Sequence, residues 1–117
     1  MDKFTKQKIK IHKEFLESMI DYHDINPMSC SSEEKIEANA SWRVYQNLNE
    51  EFKKISSNLT PKKLKKYINL LEYEINNNNG SSMPFDSRER MEANASLGEY
   101  CFIKKNINEL FPEMEFI

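Results

Sequence analysis

Helix breakers are scarce in this chain. Two glycines and four prolines stand in 117 residues, so few points force a helix to stop. Cysteine is also thin: Cys30 and Cys101 are too few and too isolated for a disulfide framework. The opening Met1-Asp2-Lys3-Phe4 lacks the apolar stretch of a signal peptide. No apolar run approaches the roughly eighteen residues that a membrane span needs. The expectation is a cytoplasmic protein, folded without disulfides and without a membrane segment.

Catalytic signatures are missing as well. The sequence contains no C-x-x-C, no H-E-x-x-H, no G-x-S-x-G and neither of the glycine-rich phosphate loops. His12 and His23 are the only histidines. No nucleophile with its base can be assembled from a local motif, so no enzyme activity and no cofactor are expected.

What the chain has is a repeat. Glu37-Ala38-Asn39-Ala40-Ser41 returns letter for letter as Glu92-Ala93-Asn94-Ala95-Ser96, a shift of 55 positions (92 − 37). At the same shift Lys8 meets Lys63, Leu16 meets Leu71, Ile20 meets Ile75, Glu34 meets Glu89 and Tyr45 meets Tyr100. The chain reads as one domain over 1–117: repeat one covers about 6–55, repeat two about 61–110, and a tail covers 112–117.

Each copy reads as a helical hairpin. The first helix runs over about residues 3–23, with Ile9, His12, Leu16, Met19 and Ile20 on one face and Phe15 at its edge, and Asn26-Pro27 beyond its end. Ser31 and Glu34 form a capping box for the second helix, which continues to about residue 55. Thr60 caps the third helix with Pro61 at its first position, and Gly80 is its expected stop. Leu64, Tyr67, Ile68, Leu71 and Ile75 make its apolar face. Asp86 and Glu89 form a second capping box, and the fourth helix runs to about residue 111 before Pro112. The tail either packs on the bundle end or serves as a docking peptide. Four helices with short connections predict an all-α four-helix up-down bundle built from two tandem hairpins, rather than a flatter solenoid-like stack.

At about 100° per residue, Ala40, Val44, Leu48, Phe52 and Ile55 share an arc of the second helix, and Glu37 and Ser41 fall inside it. Met91, Ala95, Ile103, Ile107 and Leu110 mark the same arc of the fourth, with Glu92 and Ser96 inside it. The small residues are expected to allow close helix approach. Inward carboxylates need partners, so Glu37 and Glu92 are read as structural repeat positions, hydrogen-bonded to backbone or to a tyrosine. A carboxylate-bridged metal pair would require Glu-x-x-His. Ala40 and Ala95 stand where the histidines would be, so no metal is expected.

The repeats diverge at Trp42, matched by Leu97, and at Arg43, matched by Gly98. Trp42 falls off the apolar arc and either covers the first helix or anchors a partner. A glycine inside a helix costs about 1 kcal/mol against alanine, so Gly98 suggests that another backbone approaches it, from the fold or from a partner.

The formal net charge of −2 conceals a bipolar molecule. In the bundle, 13 of the 17 basic residues gather at the end holding the starts of the first and third helices, and 11 of the 19 acids gather at the other. The leading functional reading is a non-catalytic inhibitor of immunity or antitoxin type. Its acidic end, Asp21, Asp24, Glu33, Glu34, Asp86 and Glu89, would cap a basic protein such as a nuclease toxin. The alternatives are nucleic-acid binding through the lysine end, weakened there by the absence of arginine and the scarcity of aromatics, and a homo-oligomeric scaffold. A monomer or weak homodimer is expected.

Overall fold

The computed structural model describes residues 3–24, 32–78 and 87–112. The described residues form four helices: α1 (Lys3–His23), α2 (Ser32–Ser56), α3 (Pro61–Asn77) and α4 (Arg88–Leu110). The chain is all-α, a four-helix bundle. Among the described residues no helix is long and apolar enough to cross a membrane.

Helix ends follow from local chemistry. Thr60 is extended (φ −121, ψ 159) and its hydroxyl accepts from the Lys63 N–H at 3.2 Å, while Pro61 opens α3. α3 stops before Gly80, at Asn78. The Asn78 backbone N–H and its Nδ2 both donate to the Glu74 carbonyl, at 3.0 and 2.7 Å, so the last turn closes without a left-handed glycine. α4 is capped by Ser87, whose hydroxyl accepts from the Arg90 N–H at 3.2 Å. The expected cap one residue earlier, Asp86, lies outside the described residues, as do Ser31, Gly80 and the tail beyond Pro112.

Helix direction is legible in the side-chain partners of α1. Lys8 lies over the Phe111 ring, His12 meets Asn106, Phe15 meets Phe102 and His23 meets Glu99. Rising numbers in α1 face falling numbers in α4, so the two are antiparallel. His12 against Phe52 and Phe15 against Tyr45 give the same sense for α2. The heaviest helix packing joins α2 to α4 and α1 to α2, then α3 to α4. This leaves a flattened body with extents of 47 × 31 × 20 Å.

One apolar cluster runs through all four helices. Leu16, Tyr45, Phe52, Leu71, Ile103 and Ile107 are its largest fully buried residues apart from His12. The expected faces of α1 and α3 are found: Ile9, His12 and Leu16 are buried, as are Leu64, Tyr67, Ile68 and Leu71. The face of α2 is wider than expected, because Tyr45 and Asn49 are buried too. On α4 the buried positions are Ala93, Tyr100, Ile103 and Ile107, while Ala95, Met91 and Leu110 are half-buried.

At the centre sits His12, fully buried. Its Nδ1 is 2.6 Å from Asn106 Oδ1 and its Nε2 is 2.7 Å from Tyr67 Oη. An amide oxygen can only accept, so Nδ1 carries the proton, and Nε2 accepts from the tyrosine hydroxyl. Phe52 of α2 meets the imidazole edge-on at 4.6 Å. His12 and Tyr67 are related by the 55-residue shift, so equivalent positions of the two hairpins touch each other. Burial pulls the His12 pKa down from 6.5 to about 4, against a smaller upward pull from Asn106. Burial likewise pushes the Tyr67 hydroxyl far above its ordinary value.

Two outcomes follow for stability. Tyr67→Phe leaves Nε2 buried without a donor and is expected to cost about 1–3 kcal/mol in denaturant unfolding. For His12, the folded pKa lies below the unfolded one. The neutral imidazole's contribution is therefore complete above pH 6.5 and is lost as pH falls toward 4. The loss is on the order of 3 kcal/mol. It should appear as extra acid destabilisation of the native chain relative to His12→Gln across that window.

Candidate functional site

The α2–α4 seam carries a groove on each side, and the two grooves are related by the repeat. The first is lined by Ala40, Arg43 and Asn47 of α2, by Glu89, Glu92 and Ser96 of α4, and by Asn78 at the end of α3. The second is lined by Glu34, Glu37 and Ser41 of α2, by Ala95, Gly98 and Glu99 of α4, and by Tyr22 and His23 at the end of α1. A shift of 55 carries eight of the ten lining positions of the first groove onto lining positions of the second. The repeated pentapeptide supplies the facing surfaces. Ala40, Ser41 and Ala93 are buried, and Ala38, Ala95 and Ser96 are half-buried.

The two grooves differ in charge. In the first, Glu92 is held twice: Arg88 Nε donates to Oε1 at 2.8 Å within α4, and Arg43 Nη2 reaches Oε2 from α2 at 3.8 Å. In the second, the matching carboxylate is Glu37, and the positions matching those arginines are Glu33 and Gly98. Glu37 is exposed, which corrects the inward placement expected from its position on the helical arc. A Cβ built at Gly98 would meet nothing within 4 Å among the described residues. The same finding removes the intramolecular explanation of Gly98: among the described residues no backbone outside its own helix approaches it.

The second groove has a cluster that the sequence reading missed. Glu99 Oε2 stands 3.0 Å from His23 Nε2, with both side chains more than four-fifths buried (15% and 17% exposed). The approach lacks the alignment of a straight hydrogen bond, and it is an ion pair whenever His23 is protonated. Tyr45 Oη donates to Glu99 Oε1 at 3.4 Å, and the His23 ring stacks on Tyr45 at 5.6 Å. Burial first, then the Glu99 charge, raises the Tyr45 pKa. Its repeat mate Tyr100, buried near Glu74, is pushed up to about 12. Tyr22, 70% exposed, meets His23 edge-on at 5.0 Å on the groove rim. The signal available in sequence was the substitution of Val44 by Glu99 within an otherwise matched core register.

Asp21 and Asp24 are exposed at the end of α1, Glu34 is exposed at the start of α2 and Glu89 is exposed in the first turn of α4. Glu34 and Glu89 line the second and first grooves respectively. Asp86 and the Glu33 side chain lie outside the described residues. Trp42 is half-buried on α2. Glu72 and Lys104, which the helix ends assign to opposite poles, stand 3.3 Å apart and belong to the waist. Among the described residues no group of three histidine, cysteine or carboxylate side chains could hold a metal ion.

Gly98→Ala fills open space in a helix interior, so it is expected to stabilise the fold by about 1 kcal/mol, read as a rise of a few degrees in Tm. Comparison with protein-family models, curated proteins and solved structures returns no match, so no relative supplies a function for these two grooves.

Proposed function

We propose that the protein is a non-catalytic binding protein of immunity or antitoxin type, acting in the cytoplasm. Its acidic end caps a basic partner such as a nuclease toxin. The observation that carries this reading is the segregation of charge along the bundle. Around the contacts that join Lys8 to Phe111 and His12 to Phe52, Tyr67 and Asn106, the nearby helix segments carry twelve lysines and no arginine, leaving out Lys104 at the waist and Lys35 at the other end. Around the contacts that join His23 to Tyr45 and Glu99, they carry Asp21, Asp24, Glu34, Glu37 and Glu89, all exposed.

Helix dipoles account for only half of this pattern. Acids at the starts of α2 and α4 are favourable, but the first turns of α1 and α3 hold no acid and are rich in lysine. The reversed half lowers helix stability and so needs another cause. An end with an excess of one sign steers an oppositely charged partner and speeds its capture; here the acids outweigh Lys35 and the three arginines. Nuclease sites are basic because they bind phosphates, which makes them suitable targets for such an end.

The test is affinity capture from native lysate with and without nuclease treatment, combined with charge reversal. The expected result is one stoichiometric basic protein, retained after nuclease treatment. Its association rate should fall about tenfold or more in Asp21→Lys/Glu89→Lys and should fall as salt rises. Unchanged association in the reversed variant would overturn the reading. Nuclease-sensitive recovery would move the function to the lysine end.

A further inference from the structure

The first groove is a worked example of what the second one lacks. In the first, an arginine crosses the α2–α4 seam to a glutamate, Arg43 to Glu92 at 3.8 Å, and Arg88 holds the same carboxylate from within α4 at 2.8 Å. The second keeps the glutamate, Glu37, and the small-residue walls, but both guanidinium positions are vacated in sequence, by Gly98 and Glu33. Nothing among the described residues lies within 4 Å of a Cβ placed on Gly98. Among the described residues Glu37 has no ion pair, and no lysine or arginine lines this groove. Glu99 adds a further carboxylate at its floor, and exposed Tyr22 adds an aromatic ring at its rim.

We infer that the second groove is a receptor for an arginine side chain presented by a protein partner, seated between Tyr22, Glu37 and Gly98 where the mate groove holds Arg43. The guanidinium satisfies Glu37 with its planar donors and lies against the tyrosine ring. That combination favours arginine over lysine, whose ammonium is a compact point charge without a stacking plane. The three arginines of this chain, Arg43, Arg88 and Arg90, all stand near the acidic end itself, so the lysine end of a second copy cannot supply the group. The inference rests on the proposed basic partner and names the residue type that partner presents.

The test is an NMR titration of the full chain with N-acetyl-arginine amide, with N-acetyl-lysine amide as control. Arginine is expected to shift the amides around Glu37, Gly98 and Glu99 with affinity on the order of tens of millimolar, as befits a fragment. Lysine should bind several-fold more weakly, and Glu37→Gln should weaken the arginine response several-fold. Gly98→Arg should abolish that response by filling the groove from within. Equal responses to the two probes, shifts spread over all exposed carboxylates, or no shift would each overturn the inference. A second readout needs no ligand. The Tm of Gly98→Arg should exceed that of Gly98→Ala, and the excess should vanish in a Glu37→Gln background; absence of the excess counts against the groove. Failure here with capture still sensitive to Asp21 and Glu89 would leave the basic partner standing. Arginine binding with capture insensitive to them would leave the groove standing without it.

Discussion

The hydrogen bond between His12 and Tyr67 is the constraint on which the arrangement of the two hairpins depends. α1 and α3 share little backbone contact, yet their side chains meet through this 2.7 Å bond. The same imidazole reaches Asn106 of α4 and packs on Phe52 of α2. Four helices are thus tied at one ring. Because both ring nitrogens have partners, the ring can be dry without an orphaned polar atom. Neutrality is a condition of that burial, which is why the histidine's basicity is suppressed.

A polar tie also specifies register. Apolar faces tolerate sliding and rotation at modest cost, whereas a buried donor–acceptor pair tolerates neither. The contact is between positions 55 apart, so it fixes the two hairpins about the line where their equivalent residues meet. The grooves on either side of α2–α4 obey the same correspondence. Their shared backbone setting is what makes the difference between Arg43 and Gly98 interpretable.

Much of this was legible in the sequence. The pentapeptide repeat and the capping signals at Thr60-Pro61 located the helices, and the matched faces of α1 and α3 gave half the core. The other half was less readable, for a physical reason. A helical wheel assumes that whatever lies on the apolar arc is covered. Glu37 lies on that arc and is exposed, in a groove that Gly98 also lines. Tyr45 lies at the edge of the arc and is buried because α1 crosses it with Phe15 and His23. The Glu99–His23 contact joins residues 76 positions apart (99 − 23), which no local spacing predicts.

The second groove is locally worse than its mate for stability. An unpaired surface carboxylate forgoes the few tenths of a kcal/mol that an exposed ion pair contributes, and a glycine in mid-helix loses about 1 kcal/mol against alanine. The fold has a better solution and uses it across the seam, with Arg43 and Glu92. A Cβ at residue 98 would meet nothing within 4 Å among the described residues, so the second groove has room for the first atom of a longer side chain. Two unfavourable choices therefore coincide at one spot where the same backbone accommodates the favourable ones. Sequences depart from local consistency chiefly where function requires it. The coincidence at Glu37 and Gly98, beside an exposed tyrosine and the Glu99–His23 contact, is what singles out this groove within the acidic end.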